Sequence, residues 1–391
     1  MKRLWRLGAG ATIAVCIGLP TLARAELMIV GSDQKVNWDD AGKQALSAPG
    51  GDTISIVDIG TDPLNPKIVV NLLLTNSIFG PPTNLAITPD GKLAIVANAM
   101  SWVQDGDAWK TMPDNKLYVI DLEGAPPAHI ATLEVGQQPS GLAISPAGDL
   151  ALVANRAGQS ISVLAIDGKK VELVDTVDMG AQVAAIAITP DGSRALAAKF
   201  PEHKVALLDI DGRKVTYGGS DVAVGLWPYN VAITPDGKLA LTADNGAAGA
   251  SDGNVDTVSV IDLEAEPPHV IDKVVVGDGP EGLAISPTGE IAVAVLLNGS
   301  GAVPKDASFA NPNGKLAVLA IDGKSLTKSG EVEVGALPEG IVFSRDGRHL
   351  YVGNFVDSNI SILEVEGGQV TNTGKILELP GHPASMRGSL P

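Results

Sequence analysis

A ten-residue motif repeats along this chain, and the repetition restricts the fold more than any other property of the sequence. Pro82-Thr83-Asn84-Leu85-Ala86-Ile87-Thr88-Pro89-Asp90-Gly91 returns, with variations, at residues 139–148, 183–192, 228–237, 280–289 and 338–347. His382-Pro383-Ala384-Ser385 begins a truncated seventh copy, and successive copies start 44 to 58 residues apart. Each copy reads as a short strand halted by a turn, most often Pro-Asp-Gly. There proline presets φ and glycine is free to adopt positive values. A second strand follows at once, as in Lys92-Leu93-Ala94-Ile95-Val96-Ala97-Asn98. After a loop of variable length comes a third, such as residues 160–167. A fourth ends near a glycine, as in Thr132-Leu133-Glu134-Val135-Gly136. Aliphatic and β-branched residues fill these runs, and no stretch shows a capped 3.6-residue period.

Four short strands in each unit predict an all-β fold, a β-propeller with four antiparallel strands per blade. The chain ends set the number of blades. Nothing after Pro383 has room for three further strands, but residues 27–31, 52–58 and 67–70 match a second, third and fourth strand. The C-terminal strand should therefore complete a blade begun by the N-terminal segment, giving seven blades and no long free sheet edge. Asn84, Gly141, Ala185, Asn230, Gly282, Gly340 and Ser385 share one position of the innermost strand. Only small side chains fit there, where blades are wedged against the axis. The second-strand endings Ile95-Val96-Ala97-Asn98, Leu152-Val153-Ala154-Asn155 and Tyr351-Val352-Gly353-Asn354 resemble the repeats of the YVTN β-propellers. That resemblance covers nearly the whole chain and implies the architecture. Proteins similar in this way include phosphogluconolactonase-type lactonases, cell-surface proteins and binding scaffolds. Leu196-Ala197-Ala198-Lys199 and Val293-Ala294-Val295-Leu296 depart from the pattern, so no uniform ring of asparagines is expected.

Residues 1–25 read differently. Lys2, Arg3 and Arg6 precede an apolar run from Leu7 to Leu19, and Ala23-Arg24-Ala25 offers small residues to a signal peptidase. The run is too short to span a bilayer. The expectation is a cleaved signal peptide (1–25), a single propeller over 26–391, and a periplasmic or secreted protein. Cleavage removes Cys16, leaving no cysteine, so burial and ring closure must hold the fold without disulfides. It also removes four basic residues, taking the net charge from −17 to −21. So acidic a chain without a basic patch disfavours nucleic acid as a partner. The expected partner is a small molecule or an envelope protein, and the expected state a monomer with no membrane span.

Loops between second and third strands, together with the segments leading into first strands, share one face of a propeller. The spans 31–51, 98–115, 244–256 and 296–314 read as the long ones, and long loops on a rigid scaffold are where function accumulates. Trp38, Trp102, Trp109, Phe200, Phe309 and Phe355 fall in them, and Phe79, Trp227 and Tyr229 lead into first strands. Either these aromatics pin the loops onto the aliphatic body, or they rim a pocket or partner surface. The polar candidates on that face are Asn98, Asn155, Asp244 and Asn354 at strand ends, Arg156, Lys199 and His203 in short loops, and Glu281, Glu339 and His382 beside innermost strands. For the Asn and Asp residues the competing reading is Asx capping of tight turns. His129 and His269 follow Pro-Pro on the opposite face and read as structural.

Familiar catalytic motifs are missing. The sequence contains no G-x-S-x-G elbow, no H-E-x-x-H and no C-x-x-C-H, and no cofactor is expected. Asp252-Gly253-Asn254-Val255-Asp256 has the spacing that opens a calcium loop. Thr257 and Leu263 stand where that loop needs Gly and Glu, so no metal site is assigned. Two functions follow. The first is a non-catalytic binding role at the aromatic face. The second is a lactonase-like hydrolase using Arg156, Lys199, His203 or His382 with Glu281 or Glu339.

Overall fold

The computed structural model describes residues 26–246 and 249–389, so the signal-peptide reading of residues 1–25 lies outside the described residues. Seven four-stranded antiparallel sheets stand around a central axis. Blade 1 runs through Leu85–Ile87, Leu93–Asp105, Ala108–Asp121 and Ala128–Glu134. Blades 2 to 6 begin with Pro139–Ile144, Ile186–Ile188, Pro228–Ile233, Pro280–Ile285 and Pro338–Phe343, each adding three strands outward in chain order. Blade 7 takes its innermost strand from His382–Gly388 and its other three from Leu27–Asp33, Thr53–Asp58 and Lys67–Leu72. The two ends of the chain pair antiparallel in register from Met28 with Gly388 to Asp33 with His382.

Alternation explains the layers. Second and third strands are buried along almost their whole length because neighbouring blades cover both faces, whereas fourth strands alternate with solvent. Core clusters therefore form between adjacent blades; one joins Leu93, Ile95 and Leu117 of blade 1 to Leu142, Val153 and Leu164 of blade 2. Aliphatic residues dominate them, as a chain with only 4% aromatics requires. The wedge at the axis is tight. A Cβ on Gly141 would lie 2.5 Å from Ala185 Cα and 2.6 Å from Ala184 O of the next blade.

Two of the long loops carry strands. The span 98–115 continues the second and third strands of blade 1 into a projecting hairpin, paired as far as Asp105 with Ala108. The span 31–51 contains a small hairpin, Val36–Trp38 with Gln44–Leu46. Regular pairing satisfies backbone groups that a plain loop would leave to water. The only described helical turn is the 3-10 segment Phe200–Glu202.

Candidate functional site

The second residue of each repeat, after a leading proline in six blades and Val183 in the third, is buried at the loop-bearing face. In four blades it is small: Thr83, Ser140, Ala184 and Ala384. Three consecutive blades instead place Tyr229, Glu281 and Glu339 there, all buried at 3% to 7% exposure. The two carboxyls stand close enough for each to perturb the other's ionisation. Two like charges buried side by side disfavour double ionisation. Burial pushes Glu281 up to about 7 against the pull of Arg156, and burial with the neighbouring Glu281 carboxyl lifts Glu339 well above the usual range.

Arg156, from the short loop of blade 2, reaches across to this group. Its Nη1 donates to Tyr229 Oη at 3.1 Å, and its guanidinium lies 4.7 Å from the centre of the Phe200 ring. Phe200 also meets Trp227 and Tyr229 edge-on, with centroids 5.0 and 6.1 Å apart. Burial and the two glutamates push the Tyr229 hydroxyl up to about 12, so it stays protonated. Arg156 Nε and Trp227 Nε1 are buried with no acceptor among the described residues. His203, left-handed at φ 57°, uses Nδ1 to accept the Trp227 backbone N–H at 2.9 Å, leaving Nε2 to carry the proton of the neutral ring. Gly249 lies over Glu281, since a Cβ there would sit 3.7 Å from Glu281 Oε1. Carboxyls, cation and phenol from blades 2, 4, 5 and 6 thus converge, while His203 of blade 3 holds the backbone of Trp227.

The remaining candidates lie elsewhere. Trp38 packs edge-on against Phe355, and His382 stacks on the same ring while its Nδ1 donates to Phe355 O at 2.8 Å. Trp102 packs on Phe79 and under Lys35 Nζ. Together they form a satellite core that holds the 34–52 segment down, the bland alternative for this half of the aromatics. Trp109 sits near the tip of the projecting hairpin, paired with Gln104. Lys199 turns toward the outer strands, where Asp221 and Glu202 each take its ammonium at 3.1 Å, so it does not join the axial group.

The strand-end amides and acid are latches. Asn155 Nδ2 donates to Ser160 and Ser162, Asn354 Nδ2 to Asn359 and Ser361, and Asn98 Nδ2 to Asp114, each joining the second strand to the third. Asp244 takes the same place and accepts from Thr242, Thr257 and Ser259. A glycine before the first strand (Gly136, Gly225 or Gly335) packs directly on the latch, leaving no room for a Cβ. Asp252 accepts both amide donors of Asn254 in an Asx turn. Among the described residues no group of three or more His, Cys, Asp or Glu side chains is placed to hold a metal ion, and no helix is long and apolar enough to cross a membrane.

No protein-family model matches the sequence, and no curated protein matches it. Solved structures match over nearly its full length. A putative 6-phosphogluconolactonase from Bacteroides uniformis aligns with a TM-score of 0.70 at 16% identity, covering 93% of this chain and 99% of that one. The periplasmic gluconolactonase of Pseudomonas aeruginosa gives 0.68 at 19%, covering 93% and 99%. A functionally unknown protein from Desulfotomaculum acetoxidans gives 0.69 at 15%, covering 94% and 100%. The chain shares their fold. At these identities the likeness reaches no further than the seven-bladed architecture.

Proposed function

We propose that this chain is a lactonase-like hydrolase that opens a small cyclic ester at the loop-bearing end of the propeller axis. The observation that carries the reading is the buried pair of carboxyls, Glu281 and Glu339, beside Arg156 and Tyr229, with both pKa values raised by burial. A carboxyl pair of this kind provides a base and an acid together near neutral pH. The ionised carboxylate takes a proton from the attacking water, whose oxygen bonds to the ester carbonyl carbon. Arg156 and the Tyr229 hydroxyl can donate to the oxyanion that develops. Collapse breaks the ring C–O bond, and the protonated carboxyl supplies the leaving alkoxide with its proton. Water and lactone are consumed and a hydroxy acid is released. Lactonases among proteins of similar fold support the choice of ester over other substrates, and the YVTN-type repeats agree with it. We place the protein in the periplasm or outside the cell, on the strength of the basic and apolar features of residues 1–25.

The test is hydrolysis of δ-gluconolactone and γ-butyrolactone by the chain from residue 26, followed by pH-stat titration. Glu281→Gln and Glu339→Gln should each lower kcat by about 100-fold or more, the range expected for loss of a general acid or base. Because two macroscopic ionisations belong to the pair, the wild-type profile should be bell-shaped, rising as the first proton leaves and falling as the second does. Rates equal to the uncatalysed reaction, or full activity in both variants, would remove the hydrolase reading. In its place would stand a binding role for the Phe200–Trp227–Tyr229 cluster, whose Trp227 indole N–H is left without an acceptor.

A further inference from the structure

The opposite end of the axis holds a second feature that the proposed hydrolysis does not use. A cavity of about 470 Å³ runs along the axis at the face of the Pro-Asp-Gly turns, lined by innermost strands from all seven blades. Its wall is apolar, with Ile87, Ile144, Ile188, Ile233, Ile285 and Phe343 forming one ring. The ring formed by the preceding residue is Ala86, Ala143, Ala187, Ala232, Ala284 and Val342 in six blades and Arg387 in the seventh.

The Arg387 side chain has no hydrogen bond, ion pair or ring contact with any described residue, although its backbone pairs with Ile29 in the sheet. Arg387 is part-buried, and that burial lowers its pKa to about 10. A second arginine, Arg345, is exposed at the mouth, in the turn position occupied by Pro89, Pro146, Pro190, Pro235 and Pro287 in other blades. The chain carries 45 acidic residues against 28 basic ones, yet none of the acidic residues lines this cavity. Glu26, which accepts the backbone N–H of Arg345, stands outside the lining. Both of the cavity's ionisable groups are therefore guanidiniums. An unpaired charge facing an apolar wall is costly unless an anion completes it.

We propose that the axial cavity is a binding site for a small amphipathic carboxylate. Its head group pairs with the Arg387 guanidinium, and its hydrocarbon body lies against the isoleucine and alanine rings. A planar carboxylate matches the donor fork of one arginine, and the cavity has the size and mostly apolar lining of small-molecule sites. Arg345, at the rim, draws the anion in from solvent and contributes less to holding it. The site is separate from the carboxyl pair at the loop-bearing end, so it stands or falls independently of the hydrolase reading.

The experiment is calorimetric titration of the folded chain with sodium octanoate, with 1-octanol and inorganic phosphate as controls. Arg387→Ala gives the seventh blade the residue that five other blades already carry, so this variant should fold, with an unchanged far-ultraviolet spectrum. Octanoate should bind wild type, and Arg387→Ala should weaken it at least about tenfold while Arg345→Ala weakens it about two- to threefold. Octanol and phosphate should each bind at least about tenfold more weakly than octanoate. Equal binding of octanoate to wild type and folded Arg387→Ala, or no binding to either, would overturn the assignment. Phosphate binding as tight as octanoate would overturn it as well, since the apolar wall would then have no part.

Discussion

At the scale of single residues, the repeated strand-end position separates local fastening from chemistry. Asn98, Asn155 and Asn354 each tie the second strand to the third, and Asp244 does the same with a carboxylate accepting three hydroxyls. The hydroxyls do not offset the burial, which pushes Asp244 up to about 6. A carboxyl whose pKa rises on folding makes stability fall as pH climbs from its unfolded value, near 3.9, to its folded value. Asp244→Asn, copying blades 2 and 6, should therefore raise the melting temperature at pH 7.5, with a gain of about 2 kcal/mol. The gain should vanish at pH 3.5, where both states of the wild-type residue are protonated. Chemical denaturation of both proteins across that range checks it. The sequence named these residues but left them between capping and ligand binding, because a latch depends on Ser162, Ser259 or Ser361 standing opposite in the next strand. Lys199 was misleading for a similar reason. Its neutralising partner Asp221 lies on the fourth strand, and spacing along the chain does not show which charges meet.

Among elements, the most heavily fastened segment is the one between the first and second strands supplied by the N-terminus. Lys35 is almost wholly buried, with its ammonium 3.0 Å from Asp33, in contact with Asp52, and 2.7 Å from Asn76 O. Its charge also lies 4.4 Å from the centre of the Trp102 ring, which links this segment to the hairpin of blade 1. Lys35→Met should lower stability by about 3–5 kcal/mol, because it leaves two buried carboxylates without their cation. Urea unfolding should show this as a lower midpoint with little change in slope. The innermost strands give a complementary test. Gly141→Ala would press a methyl onto backbone atoms of the next blade and should cost about 1–3 kcal/mol. Gly330→Ala, where a Cβ meets nothing within 4 Å, should cost nothing. Calorimetry of the two variants distinguishes wedge packing from general intolerance of alanine in strands. The small residues at the wedge were legible from the repeat itself. That span 98–115 would be a hairpin was not, because its exposed stretch carries mixed polar and apolar residues without clean alternation.

For the molecule as a whole, the blade number could be read from the two chain ends, since an incomplete last repeat and three orphan strands at the start have only one economical resolution. The site was legible in part. Glu281, Glu339, Arg156 and Tyr229 were all marked, but their convergence depends on a circular arrangement that brings blade 2 within reach of blades 4, 5 and 6. Arg387 went unmarked, although aligning the truncated seventh repeat with Ala86 and Ala143 shows it standing alone in its column. Ring closure carries its own expectation. Deleting residues 382–391 would strip Leu27–Asp33 of its inner partner and leave a bare strand edge beside a gap in the ring. That variant should lose the single cooperative transition and associate through the exposed edge, as light scattering during a thermal scan would report.

The same seam has a consequence in time. The strand Leu27–Asp33 is made long before His382–Gly388, yet they are neighbours in one sheet. A chain growing from its N-terminus must carry its opening segment unmatched through nearly the whole of synthesis. The ring can shut only once His382–Gly388 is free to pair. Until then, the seventh sheet stands without its inner strand.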